Sequence, residues 1–297
     1  MGEQTKAGFI SIVGKPNVGK STLLNHMTGE KLSIVSQKPQ TTRTRITAIR
    51  NIENTQMIFV DTPGYFKPRN KLGTYMTDTV HQALEGVDLV ILMVEARTEK
   101  PNEAELAIIK SLKENNMTAL LVINKIDTVQ KEKILPVIAE FSQLYAFEAI
   151  VPVSAQQGDN VDVVLEEIMK RMPEGVWLYE EDEMTDQTER QIAADIIRGK
   201  MLEELEDEVP HGVMVEVIQM KEGANGCLNI AAEIYCEKRS HKGIIIGKKG
   251  AMLKKIGSLA RVSMEEFFDT KVYLELWVKI KEDWRNKASD IKKFGFK

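Results

Sequence analysis

A chain of 297 residues is long enough for two domains, each with its own core. Its composition, 43% hydrophobic and 28% charged with a formal net charge of −4, is that of a globular protein and excludes a surface coated uniformly for nucleic acid, though not a local basic patch. The longest apolar run, Leu89 to Val94, is far short of the ~18 residues a membrane span needs.

Met1-Gly2 opens the chain, but Lys6 stands where a myristoylation signal takes Ser or Thr, so no lipid anchor is expected. Short apolar strands then alternate with amphipathic helical stretches through about Met172. The strands are Phe9–Val13, Ile46–Ile52, Gln56–Val60, Leu89–Val94, Ala119–Ile123 and Ile150–Val153. They predict an α/β fold, a six-stranded mixed sheet with helices on both faces. Too few residues separate Ile46–Ile52 from Gln56–Val60 for a crossover helix, which predicts an antiparallel hairpin.

Gly14-Lys15-Pro16-Asn17-Val18-Gly19-Lys20-Ser21 fits G-x-x-x-x-G-K-[ST] between the first strand and a helical segment beginning at Thr22. Its glycines allow backbone N–H groups to approach a phosphate chain, and the helix aims its positive dipole end there. Lys20 would reach the β- and γ-phosphates, and the Ser21 hydroxyl would ligate Mg²⁺. The polar loop Ser33 to Arg45 holds Gln40-Thr41-Thr42-Arg43 and is a candidate switch, with Thr42 preferred over Thr41 to complete the Mg²⁺ shell. Asp61-Thr62-Pro63-Gly64 follows the third strand. There Asp61 would hold an Mg²⁺-bound water and the Gly64 N–H would donate to the γ-phosphate.

Asn124-Lys125-Ile126-Asp127 ends the fifth strand and carries base specificity. The Asp127 carboxylate accepts from N1–H and the exocyclic amine of guanine, neither of which adenine presents there, so GTP and GDP are the expected ligands rather than ATP. The Lys125 stem would lie on the base and Asn124 would tie this loop to the phosphate loop. After the last strand, Ser154-Ala155 would offer the Ala155 N–H to guanine O6.

These motifs, in this order from Gly14 to Ala155, resemble a translation-factor-class GTPase domain. One position departs from the usual pattern: Tyr65, after Gly64, cannot orient the attacking water as Gln does, so slow intrinsic hydrolysis is expected. The wording Gly14-x-Pro16-Asn17-Val18-Gly19 resembles the subgroup with a hydrophobic residue in that place. That resemblance implies a role for Asn17 in binding K⁺.

The first domain is expected to span 1–175, followed over 176–187 by a solvated acidic linker with Glu180, Glu181, Asp182 and Glu183. The second domain, 188–297, opens with an amphipathic helix, Glu189 to Leu205, and continues with strands Val213–Met220, Leu228–Cys236 and Val272–Ile280. Cys227 and Cys236 sit at odd spacing on one strand or hairpin, which argues against a mutual disulfide and for a reducing cytoplasm.

Between the last two strands, Gly247-Lys248-Lys249-Gly250 joins two helical segments and suits a sugar-phosphate chain. Lys254 and Lys255, with Lys238, Arg239, Lys242 and Arg261, add a basic field. Ile244, Ile245, Ile246, Leu253 and Ile256 would form packing faces and a groove for unstacked bases.

This order of elements resembles an α+β type II KH domain with a C-terminal helix or tail. A GTPase of this subgroup followed by such a domain closely resembles the bacterial Era GTPase family over nearly the whole chain. The resemblance implies binding near the 3′ end of small-subunit ribosomal RNA, a role in small-subunit assembly, and loose association with the inner face of the membrane. A monomer is expected. The tail, Trp284 to Lys297, is basic with Trp284, Ile291, Phe294 and Phe296; it either covers the KH core or touches RNA or membrane. The leading expectation is Mg²⁺-dependent GTP hydrolysis timing an RNA-binding module. Its competitor is a constitutive RNA-binding assembly chaperone in which GTP is structural.

Overall fold

The first sheet is built around strands that are buried along their whole length. In β3 (Thr55–Asp61), β4 (Leu89–Glu95) and β5 (Ala119–Asn124) no residue is exposed, as expected of strands covered by helices on both faces. With β1 (Lys6–Val13), β2 (Ile46–Ile52) and β6 (Ala149–Pro152) they form a sheet of order β2-β3-β1-β4-β5-β6. β2 pairs antiparallel with β3, from Ile46↔Asp61 to Ile52↔Thr55, as the hairpin expectation requires, and every other pairing is parallel. Helices α1 (Lys20–Thr28), α2 (Lys71–Gln82), α3 (Glu103–Glu114), α4 (Ile134–Leu144) and α5 (Val161–Met169) alternate with the strands. The chain leaves β1 toward β3 on one side and β4 on the other, so the loops after β1, β3, β4 and β5 gather at a topological switch point.

The computed structural model describes residues 4–35, 38, 41–68, 70–223 and 226–296. Gln40 of the expected switch loop, the opening Met1-Gly2 and the terminal Lys297 lie outside the described residues. The chain forms two compact units, the first running to residue 186 apart from 69–75, the second comprising 69–75 and the residues from 187 onward.

The acidic stretch is solvent-exposed, as expected, but it is not a free linker. It runs along the first sheet and is hydrogen-bonded to it. Gly175 N–H donates to Thr5 O (3.0 Å), Ile49 N–H donates to Met184 O (2.9 Å), and Thr185 Oγ1 donates to Thr47 O (2.6 Å). Fully buried Gln56 accepts from Leu178 N (2.8 Å) and Tyr179 N (3.0 Å) and donates to Tyr179 O (3.0 Å). The physical reason is β2, an edge strand whose open N–H and C=O groups need partners. The acidic side chains of the stretch make none of these bonds, which come from its backbone and the Thr185 hydroxyl.

In the second unit, α6 (Glu189–Glu204) starts at a Thr188–Gln191 capping box and is followed by β7 (Met214–Glu222), β8 (Leu228–Cys236), α7 (Arg239–Ile246), α8 (Ala251–Phe268) and β9 (Val272–Ile280). β7 pairs antiparallel with β8 and β8 pairs parallel with β9, so the return to β9 needs the α7–α8 crossover. Ile197, Met201, Ile234, Ile256, Ala260 and Met264 are wholly buried between helices and sheet. Cys236 is buried in β8, Cys227 precedes it, and both are free thiols.

The tail ends in α9 (Ala288–Lys293) and turns its aromatic residues inward. Trp284 is 0% exposed and donates from Nε1 to Gly212 O at 3.0 Å, while Phe294 meets it edge-on at 5.3 Å between ring centroids. Of the two roles expected for these rings, covering the core is the one observed; buried Ile291, Phe294 and Phe296 present no apolar face to RNA or membrane. No helix among the described residues is long and apolar enough to cross a membrane.

Gln56→Ala strips three hydrogen bonds from the 178–179 backbone and should lower stability by about 1–3 kcal/mol. Limited proteolysis should then cut within residues 173–186 in the variant before the parent.

Candidate nucleotide site and nucleic-acid groove

The phosphate loop leaves β1 with Asn17 in the left-handed region (φ 64°) and enters α1 at Gly19 (φ 106°), where no side chain caps the helix. The first N–H groups of α1 are thereby left for an anion. A Cβ on Gly19 would lie 2.2 Å from Asn124 Nδ2, so this glycine is required by the neighbouring loop as well as by any phosphate. Gly64 is held the same way: its Cβ would lie 2.6 Å from the Pro16 backbone, which seats the loop after β3 against the phosphate loop.

Several carbonyls of that loop accept hydrogen bonds from its own lysine and from two neighbouring loops. Lys20 arches back to Gly14 O (3.3 Å) and Lys15 O (3.2 Å), Tyr65 N–H donates to Gly14 O (3.0 Å), Lys125 Nζ to Asn17 O (2.7 Å), and Asn124 Nδ2 to Val18 O (2.6 Å). Burial lowers the pKa of Lys20 to about 8 against the opposing pull of Asp61. The Tyr65 ring packs edge-on against His81 at 5.7 Å, half-buried among core side chains.

At Asp61 three hydroxyls converge. Ser21 Oγ (2.9 Å), Ser33 Oγ (2.8 Å) and Thr42 Oγ1 (3.1 Å) all donate to Oδ2, and Ser21 and Thr42 lie 3.2 Å apart. Oδ1 is buried with no hydrogen-bond partner among the described residues. Burial raises the Asp61 pKa, opposed by Lys20 and the three hydroxyls. A buried carboxylate with an orphaned oxygen is costly unless something cationic completes it. No group of three or more His, Cys, Asp or Glu side chains suited to a metal exists among the described residues. One carboxylate with two hydroxyls therefore suits a hard cation that keeps its waters and shares a phosphate, which is how Mg²⁺ is usually bound. Thr42, not Thr41, is the residue brought into this set. Thr62 is wholly buried, its hydroxyl donating to Ile12 O at 2.9 Å.

Asp127 lies exposed in a 3₁₀ turn, Ile126–Thr128, and has no hydrogen bond or ion pair among the described residues. The Ala155 N–H, the group expected to face guanine O6, donates to Asn124 Oδ1 (2.9 Å). Buried Asn124 thereby spans the phosphate loop and the loop after β6. Ser154 is buried and its carbonyl accepts from Gly158 N at 2.8 Å.

In the second unit the Gly247–Gly250 turn holds Lys249 in a left-handed conformation (φ 53°). Beside it a groove of ≈ 380 Å³ runs between α8 and β9, lined by Gly250, Leu253, Lys254, Ser258, Arg261 and Leu276 among others. Lys254 belongs to it, whereas Lys255 is ion-paired with Glu204. Ile245 cannot contact RNA: it is 0% exposed, one of the core positions of a short helix whose exposed isoleucine is Ile244. Ile246 is partly buried against the same core.

A family profile described as "50S ribosome-binding GTPase" matches residues 9–125, and one described as "KH domain" matches 208–285. GTPase Era of Ruminiclostridium cellulolyticum is 50% identical over 292 residues, 98% of this chain and 98% of that protein. GTPase Era of Clostridium botulinum has the same identity and coverage, 50% and 98% of each. The chain belongs to the Era family of GTPases. A crystal structure of Era in complex with MgGDPNP and nucleotides 1506–1542 of 16S ribosomal RNA matches it at a TM-score of 0.94, with 41% identity over 98% of this chain and 99% of that one. A variant of Aquifex aeolicus Era bound to GDP and AlF₄⁻ matches equally, at 0.94 and 41% over 98% and 99%.

Sequence motifs in this Era-family chain did not point to Ser33, to Asn25, which holds Ser33 by its backbone N–H (2.9 Å) and C=O (2.8 Å), or to Glu95 and Glu105. Glu95 left a signal as an acidic residue closing an apolar run, and Glu105 left one as the last residue of an Asn102-x-x-Glu105 capping box. Asn124→Ala leaves Val18 O and the Ala155 N–H without their partner and should destabilise the nucleotide-free protein by about 1–3 kcal/mol, measured as a lowered thermal midpoint before any ligand is added.

Proposed function

We propose that this Era-family protein binds GTP with Mg²⁺ in its first unit, hydrolyses it to GDP and phosphate, and binds small-subunit ribosomal RNA through its second unit during small-subunit assembly. The observation that carries this reading is the meeting of Ser21, Thr42 and the orphaned Asp61 carboxylate beside the uncapped start of α1. In it, the phosphates lie on the N–H groups of residues 14–21 and Lys20 turns from the loop carbonyls to the β- and γ-phosphates. Ser21, Thr42 and Asp61 would hold Mg²⁺, which would supply positive charge against the developing negative charge of the phosphates. Gly64 N–H donates to the γ-phosphate. Asp127 accepts from guanine, and Lys125 lies along the base. Half-buried Tyr65 offers no amide to orient water, so hydrolysis is slow, and left-handed Asn17 is the candidate K⁺ ligand.

For the RNA, the Gly247–Gly250 turn with Lys248, Lys249 and Lys254 follows the sugar-phosphate chain while bases enter the groove beside Leu253 and Leu276. The 16S fragment bound by the Era relative supports the choice of RNA. The exposed lysines of the tail, Lys287, Lys292 and Lys293, leave a membrane only electrostatic attraction.

Phosphate release from GTP and from ATP, each assayed in KCl and in NaCl, should show GTP preferred and K⁺ faster. A preference for ATP overturns the base reading, and equal rates in the two salts remove Asn17 as a K⁺ ligand. For the RNA, the double change Lys248→Asp with Lys249→Asp should weaken binding to 16S nucleotides 1506–1542 and flatten the slope of log affinity against log salt by about 1.4. An unchanged slope, or preference for 50S over 30S particles, contradicts the assignment.

A further inference from the structure

Two buried carboxylates outside every nucleotide motif join the loops that would grip the two ends of the ligand. Glu95 ends β4 and is 4% exposed. It is ion-paired with Lys125, accepts from Arg97 Nε at 2.7 Å and lies 3.9 Å from Lys15 Nζ. The same Lys125 ammonium donates to Asn17 O at 2.7 Å, so one side chain links the guanine loop, β4 and the phosphate loop. Glu105, on α3, is 0% exposed. One of its oxygens accepts from Asn102 N at 2.9 Å and caps the helix; the other has no hydrogen bond and faces Lys15 Nζ at 3.8 Å.

Capping α3 needs only one carboxylate oxygen and no full charge, since Gln serves equally at that position of a capping box. A second buried anion beside Glu95 is therefore unexplained by the helix. Both carboxylates are explained by the lysines they face, because a buried charge is tolerated only when paired. Burial alone would raise the pKa of each. For Glu95, the hydrogen bonds from Lys125 and Arg97 and the nearby Lys15 overcome that and hold it low, while Glu105 stays raised.

We propose that Glu95 and Glu105 are positioning residues that hold the phosphate loop, through Lys15, and the guanine loop, through Lys125, at the separation a guanine nucleotide spans. The proposal rests on reading the site as one for GTP and GDP. A nucleotide is a two-ended ligand: once its phosphates are bound, its base meets the second loop at an effective concentration set by how firmly the two loops are kept apart. Loosening that tie costs affinity only for a ligand that uses both ends.

The test is titration calorimetry of the full chain with GDP and with pyrophosphate, which engages the phosphate loop alone. Glu95→Gln keeps the shape but removes the charge that holds Lys125. It should weaken GDP about tenfold and leave pyrophosphate within about twofold, and Glu95→Asp should recover part of the loss. GDP affinity unchanged overturns the proposal. GDP and pyrophosphate falling by the same factor also overturns it, since Glu95 would then only shape the phosphate loop. Should Glu95→Gln fail to fold, Glu105→Gln keeps the cap acceptor, loses the charge facing Lys15, and is judged by the same two outcomes. Failure of the parent chain to bind GDP would instead sink the nucleotide reading itself.

Discussion

A phosphate loop is a strained, glycine-bearing turn with a row of carbonyls on its back, and the first unit is arranged to satisfy them. Gly14 O, Lys15 O, Asn17 O and Val18 O accept from Lys20, Tyr65, Lys125 and Asn124, so the loops after β3 and β5 are both anchored on this one. An unpaired buried carbonyl costs about 1–3 kcal/mol, and together these bonds outweigh the cost of the left-handed Asn17. The N–H groups on the other side are left for an anion. Each anchoring group is thereby also a reporter, because anything that moves the phosphate loop moves the residues bonded to its carbonyls.

The same economy holds at Asp61. It ends a wholly buried strand and sits where water cannot reach it, so its charge must be met by neighbours. Three hydroxyls meet one oxygen and leave the other unmet. Two of those hydroxyls, Ser33 and Thr42, bracket the loop expected to respond to nucleotide, and Ser33 is pinned to α1 by Asn25. A change at this carboxylate therefore reaches both ends of that loop through bonds already in place.

In the second unit the constraint is topological. A parallel β8–β9 pair cannot close with a short turn, and the crossover places the Gly247–Gly250 turn between two helices. Trp284, Phe294 and Phe296 are buried against one another, with Phe294 on Tyr235 of β8, so an aromatic, basic tail that reads as an interaction surface is used for packing.

Much of this was legible in the chain itself. Apolar runs broken by G-x-x-x-x-G-K-S, D-T-P-G and N-K-I-D state a set of strands and a ligand, because phosphate and guanine each demand particular residue types at short spacing. The alternation in Leu228–Cys236 and the lysines of the 247–250 turn likewise state a sheet and a basic loop. Tertiary structure alone decided the remainder, and the reason is distance along the chain. Ile245 is core and not groove because a one-residue step on a helix turns it by about 100°. The acidic stretch lies on β2 because an edge strand more than a hundred residues earlier needed partners. Lys15 meets Glu105, and Asn124 takes the Ala155 N–H, through pairings between side chains and backbone that no local pattern encodes.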